Sequence, residues 1–327
     1  MSEFDVIARY FKRPARRAVL GVGDDCALLA PTPGMQMAIS SDMLVEGRHF
    51  FADVNPRHLG HKALAVNLSD LAAAGAQPLA FTLALSLPHA DADWLQGFSD
   101  GLFALAEAHD CELIGGDTTR GPLNLCITVF GEVPAGQALL RSGARAGDDI
   151  YVSGTLGDAR LGLEAALGQL PLPDDLRRAC MLRLELPTPR VALGTALRGI
   201  ASSALDLSDG LAGDLGHILA ASQVGATLQA EAVRNCLDAR THAFVQAGQL
   251  PEALWLQSTL AGGDDYELAF TAPAALREAV QAAAQRAQTP VQRIGRIDAE
   301  PGLRVLGADG RPITAALASF DHFGTEG

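Results

Sequence analysis

Aspartate stands beside glycine again and again in this chain, at positions whose flanks read as loops: Gly23-Asp24-Asp25, Gly115-Gly116-Asp117, Ser208-Asp209-Gly210 and Gly262-Gly263-Asp264-Asp265. Any one such pair is ordinary turn chemistry, since both residue types suit tight turns. Asp148-Asp149 and Asp309-Gly310 are read that way outright. The set as a whole is different, because several members follow apolar strand-like runs, Leu113-Ile114 ahead of Gly115 and Ala204-Leu205 ahead of Asp206. Strand ends gather, and two carboxylates ~4 Å apart repel by about 4 kcal/mol at an effective dielectric of ~20. Several converging need cations. Oxygen donors without His or Cys point to Mg²⁺ rather than zinc or copper.

Asp42 and Asp70 extend the set. Asp70 falls near the C-terminal end of a helical run, where the helix dipole disfavours a carboxylate, and Asn67 three residues earlier shares its face. A bound cation would turn that cost into a gain. Carboxylates repel phosphates, so a nucleotide joins such a site only through bridging metal, and phosphoryl transfer asks mainly for positioning and charge neutralisation. The chain has two lysines, Lys12 and Lys62, neither in a Gly-x-x-x-x-Gly-Lys context. That excludes a P-loop and the strand lysine of protein kinases. Cationic help for ATP then falls to arginine.

The elements that must position these residues alternate between helical and extended patterns. Phe4, Ile7, Ala8 and Phe11 repeat at helical spacing, and residues 58–74 form one long helix opened by Asn55-Pro56 and stopped at Gly75. Residues 35–41 read as a strand ending at Asp42, 80–87 and 123–133 as further strands, and 91–109 as a helix capped by Asp91. The stretch Gly143–Asp149 has no apolar face, which sets a domain boundary and divides the chain into 1–142 and 143–327. Beyond it come strands over 150–153, 202–205 and 267–271, helices over 158–168, 189–198, 209–222 and 274–287, and a hairpin turn at 308–311. Two α+β domains is the architecture.

With 327 residues, 48% hydrophobic and 19% charged, the chain can bury a sizeable core. A formal net charge of −13 opposes nucleic acid and anionic lipid. The densest basic cluster, Lys12, Arg13, Arg16 and Arg17, reads as a solvated helix end. Five scattered cysteines with no Cys-x-x-Cys fit a reducing compartment. The N-terminus lacks a signal-peptide pattern, and the apolar run from Pro78 to Pro88 stops well short of the ~20 residues of a membrane span. A cytoplasmic protein without nucleic-acid or membrane partners is expected.

Six ordered motifs resemble thiamine-monophosphate kinases and cover essentially the whole chain: Gly21-Val22-Gly23-Asp24-Asp25-Cys26-Ala27-Leu28, Ser40-Ser41-Asp42, Lys62–Ala72, Ile114–Gly121, Asp206–Leu211 and Gly262–Leu268. The resemblance implies the two-domain α+β fold of the aminoimidazole-ribonucleotide synthetase superfamily. It also implies a homodimer whose N-terminal domains close a shared barrel. Carried over by motif, Asp25, Ser40, Ser41, Asp42, Asp70, Asp117, Asp206 and Asp209 match Mg²⁺-binding positions, and several ions are implied. Gly116, Asp117, Arg141 and Ser208 match ATP-contacting positions, and His49, Asp264 and Phe320 match positions around thiamine monophosphate. The implied reaction makes thiamine diphosphate, the final step of its biosynthesis, by direct in-line transfer from ATP with no phospho-enzyme and no residue acting covalently.

This sequence departs from the commoner family pattern in three places. Ser41 stands for threonine, Asp264 for glutamate, and Phe320 for tyrosine or tryptophan. Within the superfamily, a selenophosphate synthetase would carry a reactive cysteine near its N-terminus, and the hydrogenase-maturation dehydratase would end in cysteine. Aminoimidazole-ribonucleotide synthetase lacks the Gly-Gly-Asp-Thr-Thr-Arg-Gly form. A phosphate-ligand-binding protein without turnover is the reading from another class, and binding alone does not need so many carboxylates.

Overall fold

The computed structural model describes residues 2–313, so Phe320 lies outside the described residues. The chain forms two compact units. One runs to Leu71 and resumes over Ala76–Ala138; the other takes Ala72–Gly75 and the chain from Leu139 on.

The first unit comprises α1 (Glu3–Val6, continued by a π-helical turn Ile7–Phe11), β1 (Met35–Val45), α2 (Pro56–Ala73), β2 (Gln77–Leu87), α3 (Ala92–Ala108), β3 (Glu112–Arg120) and β4 (Asn124–Pro134). Its sheet has the order β1-β4-β2-β3, antiparallel except for β2 beside β3, the pair that α3 links. Local chemistry explains the helix limits. Asn55 Oδ1 accepts the Arg57 N–H at 2.9 Å, and Asp91 Oδ1 accepts the Trp94 N–H at 2.8 Å. Gly75, at φ 66°, stops α2 with the Ala76 N–H returning to Leu71 O at 2.8 Å. Leu64, Leu68 and Leu71 of α2, Leu95, Phe98 and Leu102 of α3, and Phe81, Leu125 and Ile127 of the sheet are fully buried. The other sheet face is covered only in part, by Ala15, Ala18, Ala27 and Leu29 near Met37 and Phe130, and is open at β1, where Ile39 and Met43 are 61% and 56% exposed.

The second unit contains β5 (Asp149–Ser153), α4 (Asp158–Ala166), α5 (Asp174–Glu185), α6 (Val191–Ala196), β6 (Ser203–Asp206), α7 (Leu211–Ser222), β7 (Gly225–Gln229), α8 (Ala230–Arg234), α9 (Ala239–Gln246), α10 (Glu252–Ala261), β8 (Leu268–Ala272), α11 (Arg277–Arg286), β9 (Val291–Asp298) and β10 (Gly302–Leu306). Its six-stranded sheet runs β10-β7-β9-β5-β8-β6. Sequence periodicity missed β7, β9, β10, α5 and α8–α10. In β9 the reason is visible. Ile294 and Ile297 are the buried residues, an odd spacing, because the pairing with β5 steps from Gly295 to Arg293 and leaves Ile294 as the extra residue of a bulge. In α5 only Leu176, Cys180 and Leu184 are buried, a stripe too narrow to stand out among charged neighbours.

The two aspartates at the boundary divide their roles. Asp148 behaves as a turn residue, with Oδ2 accepting the Arg145 N–H at 3.0 Å and the Ser202 hydroxyl at 2.6 Å. Asp149 does more than turn the chain. It is 5% exposed and ion-paired to Arg277 (2.6 Å) and Arg293 (3.2 Å), tying β5 to α11 and β9. The Arg277 hydrogen bond, ahead of that of Arg293, holds its carboxyl below the usual range. A lowered carboxylate pKa stabilises the fold above the unfolded value near ~3.9 and ceases to do so as pH falls through the folded value. Denaturant melts of wild type and Asp149→Asn should therefore show wild type more stable at pH 7, with the gap closing below pH ~4. A gap independent of pH would contradict the ion-pair role.

Candidate active site

Strand β1 and helix α2 build the densest group of site residues. Ser40 and Asp42, two apart, project to the face covered by α2. The Ser40 hydroxyl donates to Asp70 Oδ2 at 2.5 Å, and the Asp42 N–H donates to Asn67 Oδ1 at 3.1 Å. Asn67 is itself buried and anchored by its amide to Ala63 O at 3.0 Å. The shared face expected for Asn67 and Asp70 is thus the face that meets β1. Burial, then the charge of Asp70 and a hydrogen bond to it, push the Asp42 carboxyl up to about 7. A shared proton or a cation relieves such a pair.

Ser41 points the other way. Its hydroxyl pairs with Thr128 Oγ1 at 2.9 Å on the open face, so only its backbone could join Ser40 and Asp42. Register across the sheet places Ser41, Thr128, Thr82 and Gly115 in one row, and Met43, Cys126, Ala84 and Asp117 in the next. Asp117 therefore belongs to the open side. It lines a cleft of about 600 Å³ together with Asp24, Asp25, Gly115, Gly116, Thr82 and Thr118, with Phe4, Ile7, Phe11 and Ile114 among its apolar walls. Gly116 has φ 147°, and a Cβ there would lie 1.9 Å from Leu83 O, so only glycine lets the backbone reach the cleft. Thr82, Thr118 and the apolar wall from α1 were not singled out in the sequence; the wall shows there only as helical periodicity, and Asp24 only as a member of the Gly23-Asp24-Asp25 pattern. Cys26, beside Asp25, is exposed, whereas Cys111, Cys180 and Cys236 are buried with thiols pushed up to about 12 by burial.

His49 sits in the turn after β1. Its Nδ1 accepts the Val45 N–H at 3.0 Å and its carbonyl accepts from buried Lys62 Nζ at 3.4 Å. In the neutral ring the proton is then on Nε2.

In the second unit two loops are zipped together. Asp264 N–H donates to Ser208 O (2.9 Å), Tyr266 N–H to Leu207 O (2.8 Å) and Leu207 N–H to Glu267 O (2.8 Å). A Cβ on Gly263 would lie 2.4 Å from Ser208 O, so the loops touch backbone to backbone. This places Ser208 beside Asp264, which is held at φ 66°. Asp206 ends β6 and is 9% exposed. Asp214, missed in the sequence, accepts the N–H groups of Asp209 (3.0 Å) and Gly210 (3.1 Å) from the first turn of α7. Arg141 is exposed, with its carbonyl accepting from Ser222 at 3.3 Å.

Among the described residues no three His, Cys, Asp or Glu side chains are gathered tightly enough to cage a metal ion. The donors still fit Mg²⁺. Asp42, Asp70 and Ser40 offer only oxygen, and Mg²⁺ is commonly held by one or two carboxylates plus substrate phosphates rather than by a complete protein cage.

The model of AIR synthase related protein, N-terminal domain, matches residues 23–133, and that of the C-terminal domain matches 145–307. The chain is 47% identical over 328 residues to thiamine-monophosphate kinase of Salmonella typhimurium, covering 99% of this chain and 98% of the relative. It resembles the crystal structure of thiamine-monophosphate kinase from Stenotrophomonas maltophilia, with TM-score 0.82, 46% identity and 95% and 96% of the two chains covered. It also resembles AaThiL complexed with AMPPCP and TMP, with TM-score 0.75, 28% identity and 90% and 89% covered. None of the described helices is long and apolar enough to cross a membrane.

The Asp42–Asp70 pair makes a stability prediction. A carboxyl raised in the folded state binds a proton that the unfolded chain releases, so stability falls as pH rises from ~4 to about 7. In chelator, wild type should lose at least ~1 kcal/mol relative to Asp42→Asn across that window. Parallel pH profiles of the two proteins would show that the carboxylates do not strain one another.

Proposed function

Because this chain belongs to the thiamine-monophosphate kinase family, we propose that it transfers the γ-phosphoryl group of ATP to thiamine monophosphate, making thiamine diphosphate. The observation that supports this most is identity of 47% across nearly the full length of both chains. AaThiL, a neighbour over 90% of this chain, was captured with AMPPCP and TMP, a pairing that matches the two substrates.

The reading gives each residue a task. Asp25, Ser40, Ser41, Asp42, Asp70, Asp117, Asp206 and Asp209 hold Mg²⁺, Ser41 through its backbone. The metal supplies charge neutralisation between these carboxylates and the phosphates. Gly116 offers bare backbone to the nucleotide, and Arg141 and Ser208 add donors to it. His49 directs Nε2–H toward the substrate phosphate, and Asp264 faces the cationic thiazolium. Phe320 would supply an aromatic face. Attack is in line, by an oxygen of the thiamine phosphate on the γ-phosphorus, with ADP leaving and no covalent enzyme intermediate. Residues 1–142 are the metal- and ATP-binding domain and 143–327 the second domain.

A homodimer belongs to the same reading. The exposed Ile39, Met43 and Val45 lie on the open face of a sheet whose edge strand β1 is eleven residues long. A second copy covering that face, with edges paired into a barrel, would bury both.

Steady-state assays should show turnover with Mg²⁺ or Mn²⁺ and none in chelator. Free thiamine should be a poor acceptor, since it presents no anionic phosphate. Asp42→Asn and Asp117→Asn should fold and each lose at least ~10²-fold in kcat. Free thiamine accepted as well as the monophosphate would sink the mechanism, and a fully active monomer in light scattering would sink the dimer.

A further inference from the structure

The Gly262–Leu268 motif has three carboxylates, and the proposed function uses only Asp264. The other two turn inward. Asp265 is 3% exposed, and both its oxygens accept the Gly157 N–H at 3.0 Å at the start of α4. Glu267 is fully buried yet has every lone-pair direction engaged. Its Oε1 accepts from Arg183 Nη2 (3.0 Å) and Arg190 Nη2 (2.5 Å), and its Oε2 from Arg190 Nε (2.6 Å) and Ser153 Oγ (2.6 Å). Gly154 makes the room, because a Cβ there would lie 2.0 Å from Oε1.

Arg183 holds Glu267 through Nη2 alone, where Arg190 uses two nitrogens. Besides Glu267, Arg183 reaches the loop itself, donating from Nη2 to the carbonyl of Asp265 at 3.3 Å. That carbonyl is one residue beyond Asp264, whose φ of 66° is sparsely populated for a residue with a side chain. Tyr266 on the other side of the carbonyl is also left-handed, at φ 50°. Two such residues flanking a single residue, Asp265, persist only where surroundings over-determine them. Here those surroundings are Asp265 on Gly157, the zipped loop at Ser208, and the bridge made by Arg183 Nη2.

We propose that Arg183 is a positioning residue for thiamine-phosphate recognition: by bridging Glu267 and the Asp265 carbonyl from α5, it fixes the backbone conformation that presents Asp264 to the substrate. This rests on the reading that Asp264 contacts thiamine monophosphate. Arg183 touches no substrate itself. Its influence is local to Asp264, because the neighbouring loop of Ser208, Asp209 and Gly210 has its own anchor in Asp214. Glu267 keeps a bidentate partner in Arg190 when Arg183 is replaced, so the buried charge is not stranded.

The test is a double-mutant cycle on the full-length enzyme, read by steady-state kinetics with each substrate varied. Arg183→Met should raise KM for thiamine monophosphate at least about fivefold, with KM for ATP within about twofold. In the Asp264→Ala background the same change should move KM by less than about twofold, since the presented group is gone. Arg183→Lys, whose ammonium sits one side-chain atom short of Nη2, keeps a charge near Glu267 but does not reach the carbonyl; it should raise KM in the same direction and serves alone if the Met variant does not fold. A fall in kcat with both KM values unchanged, or KM effects that multiply in the double variant, would mean that Arg183 is structural only and overturn the inference. If Asp264→Ala leaves KM for thiamine monophosphate unchanged, the substrate contact itself is misassigned and the inference falls with it.

Discussion

Two carboxylates do not settle beside each other on the half-buried face of a sheet unless something forces them there. Here the force is the packing of α2 on the first sheet. Leu64, Leu68 and Leu71 are buried completely, and that packing dictates which way Asn67 and Asp70 point. Asn67 takes the backbone of Asp42, Asp70 takes the hydroxyl of Ser40, and Asp42 is pushed up to about 7 between burial and its neighbour. The apolar face of one helix thus holds an electrostatic conflict that a shared proton or a bound cation would relieve. Carboxylates pre-organised in this way are obtained at the expense of local stability, as is common at functional sites.

The second unit uses carboxylates for the opposite purpose. Asp214, Asp265 and Glu267 are taken up by backbone N–H groups or arginines within the fold. A string of acidic residues near a loop therefore mixes two populations. One kind stays half-exposed and strained; the other is buried and satisfied. Position within the motif decides between them, and residue type does not.

The sequence made the first unit legible because its signals are local and redundant. Asn55-Pro56, Asp91 and Gly75 each mark a helix end by side-chain or backbone chemistry, and all three do so in the structure. The three-residue spacing of Asn67 and Asp70 reported their shared face. Other features depend on pairing between distant segments, which spacing cannot report. The outward turn of Ser41 follows from its place opposite Thr128, and the bulge at Ile294 follows from the register of β5. Asp149 read as a turn residue because its arginines lie 128 and 144 positions away. Asp214 went unnoticed because a carboxylate in the first turn of a helix is unremarkable until the loop it grips is seen.

The uneven exposure of the cysteines gives the protein a built-in chemical reporter. Thiolate is the reactive form, and the buried Cys111, Cys180 and Cys236 resist forming it, while Cys26 is open to solvent one residue from Asp25. An alkylating dye offered to the native enzyme will mark the rim of the cleft before it marks the interior. A ligand that reached out of the cleft over Asp25 would slow that marking, with no engineered label.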